Sequence, residues 1–150
     1  MTLTSAAGFK AAEGRDEYVS EWLEIDQSRI NKFADATNDH QWIHVDVERA
    51  KKESPFGGPI AHGFLTLALV PMWLEQCVPI QQKMGLNYGM NKVRFMSPVP
   101  VGAKLRAKFV VGTVTDVEAS GVQVIWLVTL EKDGSDKPVC IAEFITRHYF

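Results

Sequence analysis

The chain has 150 residues, 46% hydrophobic and 23% charged, with a formal net charge of -2. That length fits one globular domain over residues 1–150, large enough to fold without a disulfide or a metal. The charge excludes general nucleic-acid affinity, which needs a dense basic surface, and the most apolar stretch, Phe64 to Leu74, is about half the roughly 20 residues of a membrane span.

Residues 1–16 are small and polar and are expected to be loosely held. They lack the basic start and apolar run of a secretion signal, so a cytoplasmic protein is expected. Tyr18 to Ile25 alternates weakly and predicts a first strand. Asp26 is placed to cap a helix ending near Asn38, with Ile25 and Ile30 spaced as a hydrophobic staple. Asn38 to Gln41 is then a polar turn, and Asp46 caps a second short helix, Val47 to Lys52.

Gly63 to Cys77 predicts the main helix, apolar on every face and therefore buried on all sides. Pro71 inside it predicts a bend or a shorter helix. Everything after Gly85 reads as strands. Leu105, Ala107, Phe109 and Val111 alternate with Lys104, Arg106 and Lys108, and Val122, Val124, Trp126, Val128 and Leu130 line one face of the next run. Turns fall at Asp116 to Gly121 and at Asp133-Gly134, and the last strand covers Val139 to Arg147. Cys77 and Cys140 sit in apolar runs and read as buried free thiols. The sum is an α+β domain with an antiparallel sheet wrapped on a helix.

Three clusters could carry chemistry. Asp39 and His44, five residues apart on a turn entering a helix, can aim a carboxylate and an imidazole at one water. The alternative is a turn-capping Asp39 and a packed His44. His40 and His44, four apart, have a zinc spacing only if both lie on a helix, with a third ligand from Asp39 or His62; no metal site is expected. Gly63 opens the main helix, where free backbone N–H groups suit a thioester oxygen that gains charge. The same glycine also fits a close approach by a neighbouring backbone. The third cluster is basic: Lys51-Lys52, Lys92-x-Arg94 and Lys104-x-Arg106-x-Lys108, either a solvated surface or a seat for coenzyme A phosphates. No serine-nucleophile elbow, phosphate loop or dinucleotide fingerprint is present.

Phe33-Ala34-Asp35-Ala36-Thr37-Asn38-Asp39-His40-Gln41-Trp42-Ile43-His44-Val45-Asp46, with Pro59-Ile60-Ala61-His62-Gly63-Phe64-Leu65, resembles the MaoC-like dehydratases. These include the (R)-specific enoyl-CoA hydratases, and within the family the pattern resembles the nodulation-protein-N-like subgroup. The resemblance runs from about Trp22 through Asn87-Tyr88-Gly89 and Asn91 to Phe95, as far as Gly102. It implies a hot dog fold, a homodimer with joined sheets and an acyl tunnel near the subunit interface. It implies Asp39 and His44 as the catalytic pair and Gly63 as the glycine holding the thioester carbonyl. Gln41, Ile60, Ala61, His62, Asn87 and Tyr88 are implied as substrate-binding positions, with no chemical step for His62. Asn38, Gln41 and Trp42 replace the Gly, Asn and Pro of the family's common Gly-Asp-x-Asn-Pro-x-His, and Pro71 stands where some members carry a pocket serine.

The activity implied is reversible hydration of a trans-2-enoyl-CoA to the (R)-3-hydroxyacyl-CoA, with no cofactor beyond the coenzyme A of the substrate. Thioester hydrolysis on the same fold, or an acyl-binding subunit without turnover, are the alternatives.

Overall fold

The computed structural model describes all 150 residues. Two short strands, β1 (Glu17–Val19) and β2 (Leu23–Glu24), stand where one strand was predicted. Both pair antiparallel with β4 (Lys104–Val117). Together with β3 (Met84–Phe95), β5 (Gly121–Lys132) and β6 (Cys140–Tyr149) they make one antiparallel sheet of order β1-β4-β5-β6-β3, with β2 also on β4. The period-two pattern of β4 is realised: Leu105, Ala107, Phe109 and Val111 are buried, and Lys104, Arg106 and Lys108 face the other way. A bulge between Val111 and Val114 coils the long β4–β5 pair. Gly112 sits there because a Cβ on it would lie 2.7 Å from the Ile125 carbonyl oxygen.

The predicted main helix is two helices, α5 (Gly63–Ala68) and α6 (Val70–Cys77), broken at Leu69. Pro71 falls in the first turn of α6, where its missing N–H removes no intrahelical bond. Leu65, Leu69, Val70, Trp73 and Leu74 face the concave side of the sheet and join Phe109, Trp126 and Leu130 in one core. The helix is not buried all round, since Phe64 is 69% exposed. This is the hot dog arrangement, a helix wrapped by an antiparallel sheet.

The first residues are not loose. Ser5 caps α1 (Ala6–Ala11) by accepting from the Gly8 N–H. Leu3 is bridged to Ile80, and Leu3 and Phe9 are both fully buried. Two apolar side chains at the right spacing hold an otherwise polar segment in place. Both thiols are free: Cys140 is buried, Cys77 partly so, and burial pushes each up to about 11.

Candidate active site

α2 (Gln27–Thr37) starts as the sequence predicts, with the Asp26 carboxylate accepting from the Arg29 N–H at 2.8 Å. It ends at Asn38 in the left-handed region, φ 58°. An asparagine tolerates that conformation, so the turn that presents Asp39 survives without a glycine. α3 (Trp42–Val45), absent from the sequence reading, carries His44, and α4 (Val47–Glu53) follows under the Asp46 cap. The extended segment at Pro59–Ala61 is laced between two others. Ile60 N–H donates to the Ile43 carbonyl, Ala61 N–H to that of Val99, and Val101 N–H to that of Pro59.

This framework fixes the His44 ring. Its Nδ1–H donates to the Ile60 carbonyl oxygen at 2.7 Å, which leaves the lone pair on Nε2. The backbone carbonyl of His44 is held by Gln27 Nε2 at 2.8 Å, and Gln27 also bonds Asn31. Gln27 carries no motif signal, and only its place as the first residue of α2, next to the Asp26 cap, could have marked it. His44 is 9% exposed, and burial holds its pKa below the ordinary imidazole value. The Ile60 carbonyl and the Asp39 carboxylate oppose that depression, and His62 adds to it. A buried, neutral imidazole with a free lone pair is a base ready at neutral pH.

A carboxylate oxygen of exposed Asp39, one ring nitrogen of His44 and one of His62 lie within 4.8 Å of one another. The two imidazoles stack, centroids 3.9 Å apart at 25°, and Phe33 packs on His62 at 4.9 Å. The stacking decides what the trio can hold. A ring nitrogen's lone pair lies in its ring plane, so an ion at the ~2.0–2.1 Å of a zinc–nitrogen bond would sit far out of both planes. A water at a hydrogen-bond distance of about 2.9 Å reaches both rings with much less tilt. The trio therefore suits a water better than a metal. His40 is outside it, bonded on the surface to Asp35 at 2.9 Å.

Gly63 is the first residue of α5, so its N–H has no partner within the helix. The close approach at Gly63 comes from a side chain: a Cβ there would meet the Phe95 ring at 3.1 Å. Ala61 is buried in the core, and Ile60 contributes its backbone. Gln41 is exposed, and its N–H makes a long, 3.4 Å bond to Asp39 Oδ1. Trp42, in the position of the family's proline, lies under Arg49, with the guanidinium carbon 4.3 Å from the ring centroid. Asn87 and Tyr88 are not with the pair. They stand about 25 Å along β3 from Phe95, at the rise of a strand. There Asn87 lines a cleft of about 490 Å³ with Leu74, Gln82, Thr146 and His148. Of the basic residues, Arg106 pairs with Glu131, Lys108 with Glu131 and Glu17, and Lys51 with Glu48. Lys92 and Arg94 flank a groove with Leu127 and Ile141.

A profile of the MaoC like domain matches residues 8–132. The 3-hydroxyacyl-thioester dehydratase Z of Mycobacterium tuberculosis is 49% identical over 148 residues, 98% of this chain and 97% of that protein. Nodulation protein N of Rhizobium leguminosarum bv. viciae is 46% identical, over 95% of this chain and 89% of its own. The unliganded R-hydratase PhaJ1 of Pseudomonas aeruginosa superposes with a TM-score of 0.72 at 21% identity, covering 94% of this chain and 84% of that one. No helix is long and apolar enough to cross a membrane.

Proposed function

The chain belongs to the MaoC-like dehydratase family, and from that premise we propose that it hydrates trans-2-enoyl thioesters, and dehydrates (R)-3-hydroxyacyl thioesters, at Asp39 and His44. The observation that carries the reading is the fixed His44 ring, its Nδ1–H on the Ile60 carbonyl and its Nε2 lone pair left free, with a ring nitrogen within 4.8 Å of an Asp39 carboxylate oxygen. In the hydration direction Nε2 takes one proton from a water, and the water oxygen bonds to C3. The C2–C3 π pair shifts toward the thioester oxygen, where the Gly63 N–H stabilises the negative charge. The imidazolium then returns its proton to C2. The Asp39 carboxylate faces that imidazolium and offsets its charge. Water adds across one double bond with no change of oxidation state, so no cofactor is needed beyond the carrier of the acyl group, coenzyme A.

The exposed apolar residues of the β3 edge support a homodimer. Met84, Leu86, Tyr88 and Phe95 are exposed along β3, beside Phe64 of α5. β3 is an outer strand with free backbone groups. A two-fold, antiparallel β3–β3 pairing joins the two sheets. It also brings the Asn87 end of one protomer beside the Gly63–Phe95 end of its partner, so the 490 Å³ cleft becomes the far wall of the acyl channel. The protein works in the cytoplasm on this view.

The test is enoyl-CoA hydration followed by absorbance, with the product's chirality determined. Asp39→Asn and His44→Ala are each expected to lower turnover about 100-fold or more. Near-wild-type rates in both variants refute the assignment. Release of free thiol with no hydration product points to thioester hydrolysis instead.

A further inference from the structure

We infer that the far end of the acyl channel selects acyl groups bearing a neutral oxygen acceptor, which the side-chain amide N–H groups of Gln82 hold. Gln82 lines the 490 Å³ cleft at the Asn87 end of β3, and it ends a hydrogen-bond chain that starts in the core. The Trp126 indole N–H donates to Thr146 Oγ1 at 2.8 Å, Thr146 Oγ1 meets His148 Nε2 at 2.6 Å, and His148 Nδ1 meets Gln82 Oε1 at 2.6 Å. An indole N–H only donates, so Trp126 occupies one lone pair of the hydroxyl. Thr146 is 3% exposed, and His148 Nε2 is the one acceptor its hydroxyl hydrogen meets. The ring hydrogen is therefore on Nδ1 and needs an oxygen. Gln82 turns Oε1 to the imidazole and Nε2 away from it.

An exposed glutamine ordinarily turns its amide freely, whereas this one is oriented from the core. Gly85 leaves it room: a Cβ there would lie 2.5 Å from Gln82 Nε2, so any side chain at this strand position displaces the amide. Gln82 is exposed and its Nε2 makes no hydrogen bond within the chain, so its donors are open to a ligand. Leu74, Val78, Ile80, Met84 and Leu86 give the cleft apolar walls. The polar atoms of Thr146 and His148 are committed to each other and to their neighbours. Asn87 also lines the cleft, but no bond within the chain orients its amide. Of the two charged residues there, Lys83 donates to the Phe150 carbonyl at 2.8 Å, and Glu75 repels a carboxylate. A plain alkyl chain would strip water from the amide and return no acceptor. A chain with an oxo or hydroxyl group replaces that water while its methylenes cover the apolar walls.

This inference rests on the hydratase reading and its β3–β3 pairing. Hydration of trans-2-enoyl-CoA substrates from octenoyl to tetradecenoyl is measured with each chain in three forms: plain, with an oxo group next to the terminal methyl, and with a terminal hydroxyl. Wild type is expected to favour the oxo and hydroxyl forms in kcat/KM by about three- to tenfold at the length that brings the oxygen to Gln82, the effect of one hydrogen bond. Gln82→Leu is expected to put the plain chain first at that length. Gln82→Glu keeps an oxygen for His148 Nδ1–H, and with it a melting temperature near wild type, but exchanges the donor for an acceptor. It is expected to lose the preference for the oxo form and keep that for the hydroxyl form, which can donate. A wild-type enzyme that hydrates plain chains as well as or better than both oxygenated forms at every length overturns the inference alone. So does a loss in Gln82→Leu shared equally by all three forms, which assigns the amide to the carrier instead of the acyl group. A wild-type enzyme with no turnover of any chain overturns both readings.

Discussion

Lowering the pH should weaken the fold through one buried imidazole remote from the active site. His148 is 2% exposed and stacked under Phe9 at 4.8 Å. Its Nδ1–H donates to Gln82 Oε1 at 2.6 Å, and its Nε2 accepts from the Thr146 hydroxyl at 2.6 Å. Thr146 accepts in turn from the Trp126 indole N–H at 2.8 Å. The chain runs in one direction with a neutral ring. Burial pushes the His148 pKa down to about 4, against 6.5 for a free imidazole. As the pH falls the unfolded chain takes up the proton first. The stabilisation is complete above about 6.5 and is lost toward 4. The full gap is worth about 3 kcal/mol, and the part lost between pH 7 and 5.5 is about 1 kcal/mol. Urea unfolding at the two pH values measures it in wild type and in His148→Gln, and the difference of differences isolates this residue. His44, also depressed, leaves a residual slope of the same sign in the variant. Equal slopes in the two proteins refute the account.

Activity should report on the other depressed imidazole. Because burial lowers the His44 pKa, the acid limb of kcat/KM is expected below pH 6.5, with activity falling as pH drops and His44 protonates; a limb above 6.5 contradicts a buried base. Gly63→Ala places a methyl 3.1 Å from two atoms of the Phe95 ring, which must shift by a few tenths of an ångström. The added helix propensity of up to about 1 kcal/mol offsets that contact, so the melting temperature should stay near wild type while kcat/KM falls about tenfold or more through crowding of the N–H.

Much of the fold is legible in local chemistry. The caps at Asp26 and Asp46, the turn at Asn38, the helix break just before Pro71 and the alternation of β4 each follow from one or two residues. The pair Asp39 and His44 is legible too, because a turn next to a short helix brings residues five apart together. What escaped depends on distant partners. Nothing near Leu3 or Phe9 announces that Ile80 and His148 will cover them. Gln27 matters through a carbonyl 17 residues away, and the His44–His62 stack forms only when α3 meets the start of α5. Phe64 reads as core because composition does not distinguish a face turned to the sheet from one turned away from it.

The opening helix has a use beyond packing. By roofing His148 with the ring of Phe9, residues that look dispensable in the sequence keep solvent from a titratable group at the opposite end of the chain. Trimming the first dozen residues would therefore do more than shorten the protein: it would hydrate that imidazole, restore its ordinary affinity for protons, and flatten the acid sensitivity of whatever fold remained.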